Sequence, residues 1–169
     1  MAIQITPVGE VIVRCPYGIK TSQISCFVQE KSHWIRKYLQ RIPAPEPQLS
    51  DEELNTLKKQ AAVRIPERVR YFAEKMGVAY GRITIRSQKT LWGSCSGAGN
   101  LNFNCLLMLT PPEVQDYIVV HELCHRLEMN HSARFWAEVE KVLPDYRTRR
   151  QWLKEQGDRL ICRLPGVQK

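Results

Sequence analysis

No apolar run in this 169-residue chain approaches the roughly 20 residues a membrane-spanning helix requires; the longest are Cys105 to Leu109 and Tyr117 to Val120. The first 14 residues alternate apolar and polar types. They lack the basic segment and apolar block of a secretory signal, so the chain is expected to stay in the cytoplasm and off the membrane. The six cysteines include no Cys-x-x-Cys pair, which argues against a cysteine-built zinc ribbon. With no signal peptide, reduced and mostly buried thiols are expected instead of three bridges. Internal repeats and low-complexity segments are absent, and a 43% hydrophobic composition is too rich for wholesale disorder. Acidic residues are the scarcer charge: 17 Asp and Glu stand against 25 Lys and Arg, a formal net charge of +8. That excess invites a nucleotide, nucleic-acid or acidic partner but specifies no reaction.

Ile3 to Thr6 and Val11 to Arg14 alternate as two short strands around Pro7-Val8-Gly9. From about Ser22 to Ile42 apolar residues recur at helical spacing, and Pro43-Ala44-Pro45-Glu46-Pro47 stops them. Residues 1–42 therefore read as an N-terminal strand/helix subdomain packed on the rest, 43–49 as a connector and 50–169 as the core. Ser50-x-x-Glu53 is a capping box opening a helix that Pro66 should kink or split and that Gly77 ends. Ile83 to Ser87 reads as a strand, 92–100 as a loop rich in Gly, Ser and Asn, and Leu101 to Leu109 as a strand. Thr110-Pro111-Pro112-Glu113 resembles a second capping box, starting a helix to about Met129. Asn130 should end it in the left-handed conformation; Ser132 caps a successor, and a last helix stops at Gly157. The order predicts an α+β fold.

Three of the four histidines lie within residues 121–131. On a helix, His121 and His125 are offset by roughly 40° around the axis and about 6 Å along it. Both imidazoles can then reach one Zn²⁺ at about 2.0–2.1 Å. Glu122 follows the first ligand and can take the proton of a metal-bound water, as the His-Glu-x-x-His pattern of metal hydrolases requires. A catalytic zinc wants a third ligand and one open position. His131 fills that need if the chain breaks after Met129; on a straight helix it would lie about 9 Å beyond His125. Mn²⁺, Co²⁺ or Ni²⁺ suit similar ligands. Glu128 is placed either to steady an imidazole or to face solvent, and Tyr146 or Arg147 is a candidate to stabilise a transition-state oxyanion. Cys124, with apolar neighbours, reads as packing, as do Trp92, Trp136 and Trp152, and His33 as surface.

Trp92-Gly93-Ser94-Cys95-Ser96, Leu101-Asn102, His121-Glu122-Leu123-Cys124-His125, Asn130-His131-Ser132, Phe135-Trp136 and Pro144-Asp145-Tyr146 together resemble the YgjP-like metallopeptidase family. Its relatives include SprT-type and other small zincin-like proteins. The resemblance runs from about Val11 to Gly157. It implies a zincin-like core whose active-site helix lies under a small sheet, with an edge strand bordering the cleft. Leu101 to Leu109 is the candidate edge, to which a peptide could add by backbone pairing. The resemblance also implies His121, His125 and His131 as metal ligands and Glu122 as catalytic base. Members usually carry Arg before Trp-Gly-Ser-Cys, where this chain has Leu91, and the Cys-rich ribbon of longer SprT-type proteins is missing.

A zinc-dependent peptidase acting on peptides or proteins is the leading expectation. A metal-dependent hydrolase of nucleotides or other phosphoanhydrides is the second, since zinc and a glutamate do not dictate the scissile bond. The third is a nucleic-acid-associated binding module whose metal is structural or vestigial, with Arg64/Arg68/Arg70 and Arg147/Arg149/Arg150 as phosphate contacts.

Overall fold

The computed structural model describes residues 1–6, 9–40 and 46–166, and the chain divides into two compact units, 1–47 and 48–169. In the first unit β1 (Ala2–Ile5) pairs antiparallel with β2 (Val11–Arg14), Ile5 opposite Val11. Pro7 and Val8 of the expected turn lie outside the described residues. So do Arg41, Ile42 and most of the proline-rich connector. One helix was expected over about 22–42; there are two, α1 (Thr21–Glu30) and α2 (Ser32–Leu39), broken at Lys31 (φ −92°, ψ 2°). Of the described residues here only Ile35 is buried, as befits a piece too short to build a sizeable core.

In the second unit, α3 (Asp51–Met76) begins at the expected capping box. Ser50 Oγ accepts from the Glu53 N–H at 3.2 Å, and the Glu53 carboxylate accepts from the Ser50 N–H at 2.8 Å. The two hydrogen bonds from Ser50, backbone then side chain, hold the Glu53 carboxyl below its ordinary pKa. Leu54, Leu57, Ala61, Ile65, Val69, Phe72 and Ala73 form the buried stripe, and Gly77, at φ 65°, closes the helix. Contrary to expectation, Pro66 does not split α3. The carbonyl it deprives of a donor belongs to Ala62, on the exposed face where water can serve instead.

The sheet has the order β3-β5-β4. Strand β3 (Ile83–Arg86) runs parallel to β5 (Leu101–Asn104), and β4 (Gly93–Cys95) antiparallel to it, with Ser94 opposite Asn102. Two corrections follow. Residues 92–100 hold a strand as well as a loop, and Leu101 to Leu109 is neither one strand nor an edge. β5 is the central strand and ends at Asn104, after which Cys105–Leu109 winds into a 3-10 turn. Asn104 is fully buried and causes the change of course. Its Nδ2 donates to the carbonyls of Gln88 and Leu91 at 2.7 and 2.9 Å, and its Oδ1 accepts from the Leu106 N–H at 3.1 Å. That bond caps the turn while the other two hold the segment leading into β4.

Helix α4 (Pro112–Cys124) packs against α3 and the sheet, α5 (Ala133–Val142) follows its cap Ser132, and α6 (Tyr146–Ile161) ends the fold. The expected capping box at Thr110 does not form, because Thr110 Oγ1 donates backward to the Leu107 carbonyl at 2.8 Å. Gly157 does not end α6 either. It is buried inside the helix, where a Cβ would lie 3.2 Å from Trp92 Nε1, so its lack of a side chain admits the indole. Arg68 of α3 grips Asp116 of α4 through two bonds of 2.7 and 2.9 Å, and Arg64 donates to Gln115 at 2.8 Å. Cys105 and Cys124 are buried, whereas Cys15 and Cys26 are exposed, against the expectation of mostly buried thiols. Among the described residues no helix is long and apolar enough to cross a membrane.

Candidate metal centre

The sequence of α4 is apolar on most of its circumference because α3, the sheet, α5 and α6 surround it; Val119, Val120, Leu123 and Cys124 are fully buried. The helix ends at Cys124, a turn earlier than the expected Met129. The Cys124 carbonyl accepts from both Leu127 and Glu128 N–H at 2.9 Å, closing a tight terminal turn. Arg126 is drawn away by tertiary bonds, its Nε to the Ala79 carbonyl at 3.0 Å and one Nη to that of Gly97 at 3.2 Å. Among the described residues no non-glycine has positive φ, so Asn130 does not take the left-handed conformation. The early turn does the redirecting instead.

Its consequence is convergence. His121, His125 and His131 each present a ring nitrogen, and these atoms lie within 4.8 Å of one another. Nε2 of His121 and Nε2 of His131 are 2.9 Å apart. Two ligands of a tetrahedral zinc at about 2.05 Å stand about 3.3 Å apart, so a few tenths of an ångström separate this arrangement from a coordinated one. His125 Nδ1 lies 3.2 Å from the backbone carbonyl of Glu128. A carbonyl only accepts, so Nδ1 carries the hydrogen and Nε2 keeps the free lone pair. The backbone of Glu128, not its carboxylate, thus orients this ring. His121 Nδ1 is buried with no hydrogen-bond partner among the described residues. Burial, then the charges of His125, His131 and Arg150, push the His121 pKa down to about 3. Burial also lowers that of His125. Imidazoles that resist protonation are the ligand form, so the residues fit a divalent transition ion.

Glu122 is 4% exposed and abuts β4: a Cβ at Gly93 would lie 2.6 Å from its Oε1 and 2.8 Å from its Cγ. Glycine is therefore required where the edge strand passes the carboxyl group. Burial raises the Glu122 pKa to about 8. Cys95 on the same strand is raised by burial and by the Glu122 charge, and buried Cys124 is raised to about 12. Neither thiol is a ready thiolate ligand.

Aromatic rings from α5 and α6 form a wall beside the imidazoles. The Phe135 ring centroid lies 4.9, 4.7 and 4.7 Å from those of His121, His125 and His131. Trp136 stacks on His131 at 5.8 Å and on Tyr146 at 5.4 Å. The two residues weighed for an oxyanion have other engagements: Tyr146 is buried in this stack, and Arg147 bonds to Glu140 at 3.0 Å. Sequence reasoning passed over Phe135 and Trp136 as lining of the centre; their position one helical turn after His131 was the available signal. Arg150, grouped in the sequence with Arg147 and Arg149 as a phosphate contact, has its guanidinium carbon 4.5 Å over the Trp136 ring.

The YgjP-like, metallopeptidase domain family matches residues 1–56 and 46–156 of the chain. Among solved structures, the metallopeptidase zymogen abylysin of Pyrococcus abyssi is 23% identical, with a TM-score of 0.50 over 55% of this chain and 95% of that one. The metallopeptidase zymogen jannalysin of Methanocaldococcus jannaschii is 20% identical, with a TM-score of 0.49 over 54% and 95%. The first likeness is one of fold. No curated protein sequence matches the chain. With the family matched over nearly its whole length, this α+β protein belongs to the YgjP-like metallopeptidases.

Proposed function

We propose that the chain is a zinc-dependent peptidase in which His121, His125 and His131 hold the ion and Glu122 is the general base. The observation that carries this reading is the meeting of three imidazole nitrogens within 4.8 Å, brought together from a helix end and the loop after it. A divalent ion held there would lower the pKa of a coordinated water toward about 7 and polarise the scissile carbonyl. The protein's own groups supply the rest. Burial keeps Glu122 protonated up to about pH 8, so it needs a neighbouring positive charge to ionise at neutral pH. Once ionised it accepts the proton of the attacking water on a carboxylate oxygen and returns it to the leaving amine. The Glu128 carbonyl keeps the His125 ring turned. Among the described residues β4 pairs with β5 alone, and its second edge is where an extended peptide would be held by backbone pairing.

No observation favours a nucleotide or nucleic-acid substrate. Of the arginines suggested for phosphates, Arg68, Arg147 and Arg149 are bonded to Asp116, Glu140 and Asp145. The test is a panel of peptides and nucleotides given to zinc-loaded protein and to its Glu122→Gln variant. Products from peptides alone, lost in the variant, are expected. Phosphate release lost in the same variant, or peptide cleavage that survives it, would overturn the reading.

A further inference from the structure

The first two turns of α6 carry three arginines, and they differ in how they are engaged. Arg147 bonds to Glu140 at 3.0 Å. Arg149 bonds to Asp145 at 2.9 Å and to the Glu113 carbonyl at 3.0 Å. Arg150, exposed, makes no ion pair or hydrogen bond with any described residue; its guanidinium carbon rests 4.5 Å over Trp136. That indole is 5.8 Å from both His121 and His131, so the cation lies within about 10 Å of either ring. Of these three arginines, the one with no acidic partner among the described residues is the one beside the proposed metal site.

Chemistry narrows what such a group recognises. A guanidinium held over an aromatic face without a hydrogen-bond partner keeps its N–H donors available, and their fork matches a carboxylate bidentately. Oxyanion stabilisation works from donors in a water-excluded pocket, whereas Arg150 is exposed. An extended peptide advances about 3.4 Å per residue, so 10 Å corresponds to two or three residues.

We infer that Arg150, propped on Trp136, is a carboxylate-recognition subsite that selects peptides carrying an acidic side chain or a free C-terminus within about three residues of the bond cleaved. The inference rests on the peptidase reading above for its substrate class.

The test uses four forms of one cleaved peptide, with Glu or Gln beside the scissile bond and a free or amidated C-terminus. For each, kcat/KM is measured with zinc-loaded wild type, Arg150→Gln and Arg150→Lys. Binding is measured by calorimetry on the same zinc-loaded proteins carrying Glu122→Gln. Matched zinc content and melting temperature show that the variants are folded. Arg150→Gln is expected to weaken carboxylate-bearing forms about tenfold more than their uncharged isosteres, chiefly in KM, and Arg150→Lys to recover part of the loss. A difference that follows Glu against Gln assigns the side chain; one that follows amidation assigns the C-terminus. Equal loss on all four forms, or a loss confined to kcat, would overturn the subsite. If no peptide is cleaved yet carboxylate peptides still bind in an Arg150-dependent way, the peptidase reading fails and the subsite stands.

Discussion

Adding a single methyl group at Gly93 probes whether the edge strand and the glutamate are built against each other. A Cβ there would meet Glu122 Oε1 at 2.6 Å and Cγ at 2.8 Å. Glu122 is 4% exposed, so its carboxyl has little room to retreat. Overpacking of this kind costs about 1–3 kcal/mol. For a domain of this size, 2 kcal/mol lowers Tm by about 4–8 °C. Displacing a catalytic group by about 1 Å costs on the order of a hundredfold in rate. Gly93→Ala should therefore melt several degrees lower and lose most peptidase activity. The assay is a double-mutant cycle in thermal unfolding: Gly93→Ala alone, Glu122→Ala alone, and both. Removing the carboxyl vacates the space the methyl needs, so the cost of Gly93→Ala should shrink sharply in the Glu122→Ala background. An undiminished cost in that background would refute the contact, and a Gly93→Ala protein as stable and active as wild type would refute the reasoning entirely.

Two further outcomes follow from the electrostatics. In metal-free protein, Glu122, raised to about 8 from an ordinary 4.5, contributes stability that is full below the ordinary value and lost as pH rises through 8. His121, lowered to about 3 from 6.5, contributes stability that is lost as pH falls below 6.5. The opposing slopes overlap below pH 6.5, so between 6.5 and 8 Glu122 acts alone. Metal-free protein should lose about 2 kcal/mol across that window; denaturant titrations of wild type and Glu122→Gln check this, and an equal slope in the variant would contradict it. Arg68→Ala removes the paired bonds to Asp116 and the cation over Tyr71 and Phe72. With both partners partly exposed, a loss of about 1–2 kcal/mol is expected in urea unfolding, with zinc content unchanged.

Much of the centre was legible because its signals are local. The four-residue spacing of His121 and His125 needs only helical geometry, and Ser50, Gly77 and Ser132 act on their own neighbours. What escaped depends on the far side of a contact. Gly157 reads as a helix stop until Trp92 is found against it. Pro66 reads as a break until the deprived carbonyl is seen to face water. β4 is three residues long and lies among Gly, Ser and Asn, so it has no alternation to detect; without it, β5 was taken for an edge. His131 was placed for a sound reason, the need for a third ligand, but by the wrong turn. Cys124 and its two amide donors, not Asn130, end the helix. Arg150 could not be told from Arg147 and Arg149 by sequence, because what distinguishes it is that no described acidic residue pairs with it.

The central claim, that the three imidazoles form one ion site, is tested most directly by competitive zinc titration against a chromophoric chelator, on wild type and on His121→Ala, His125→Ala and His131→Ala. One zinc per wild-type chain is expected, with affinity reduced at least tenfold by each substitution, His131→Ala included. Zinc bound equally well after His121→Ala, or a His131→Ala protein indistinguishable from wild type, would contradict the account.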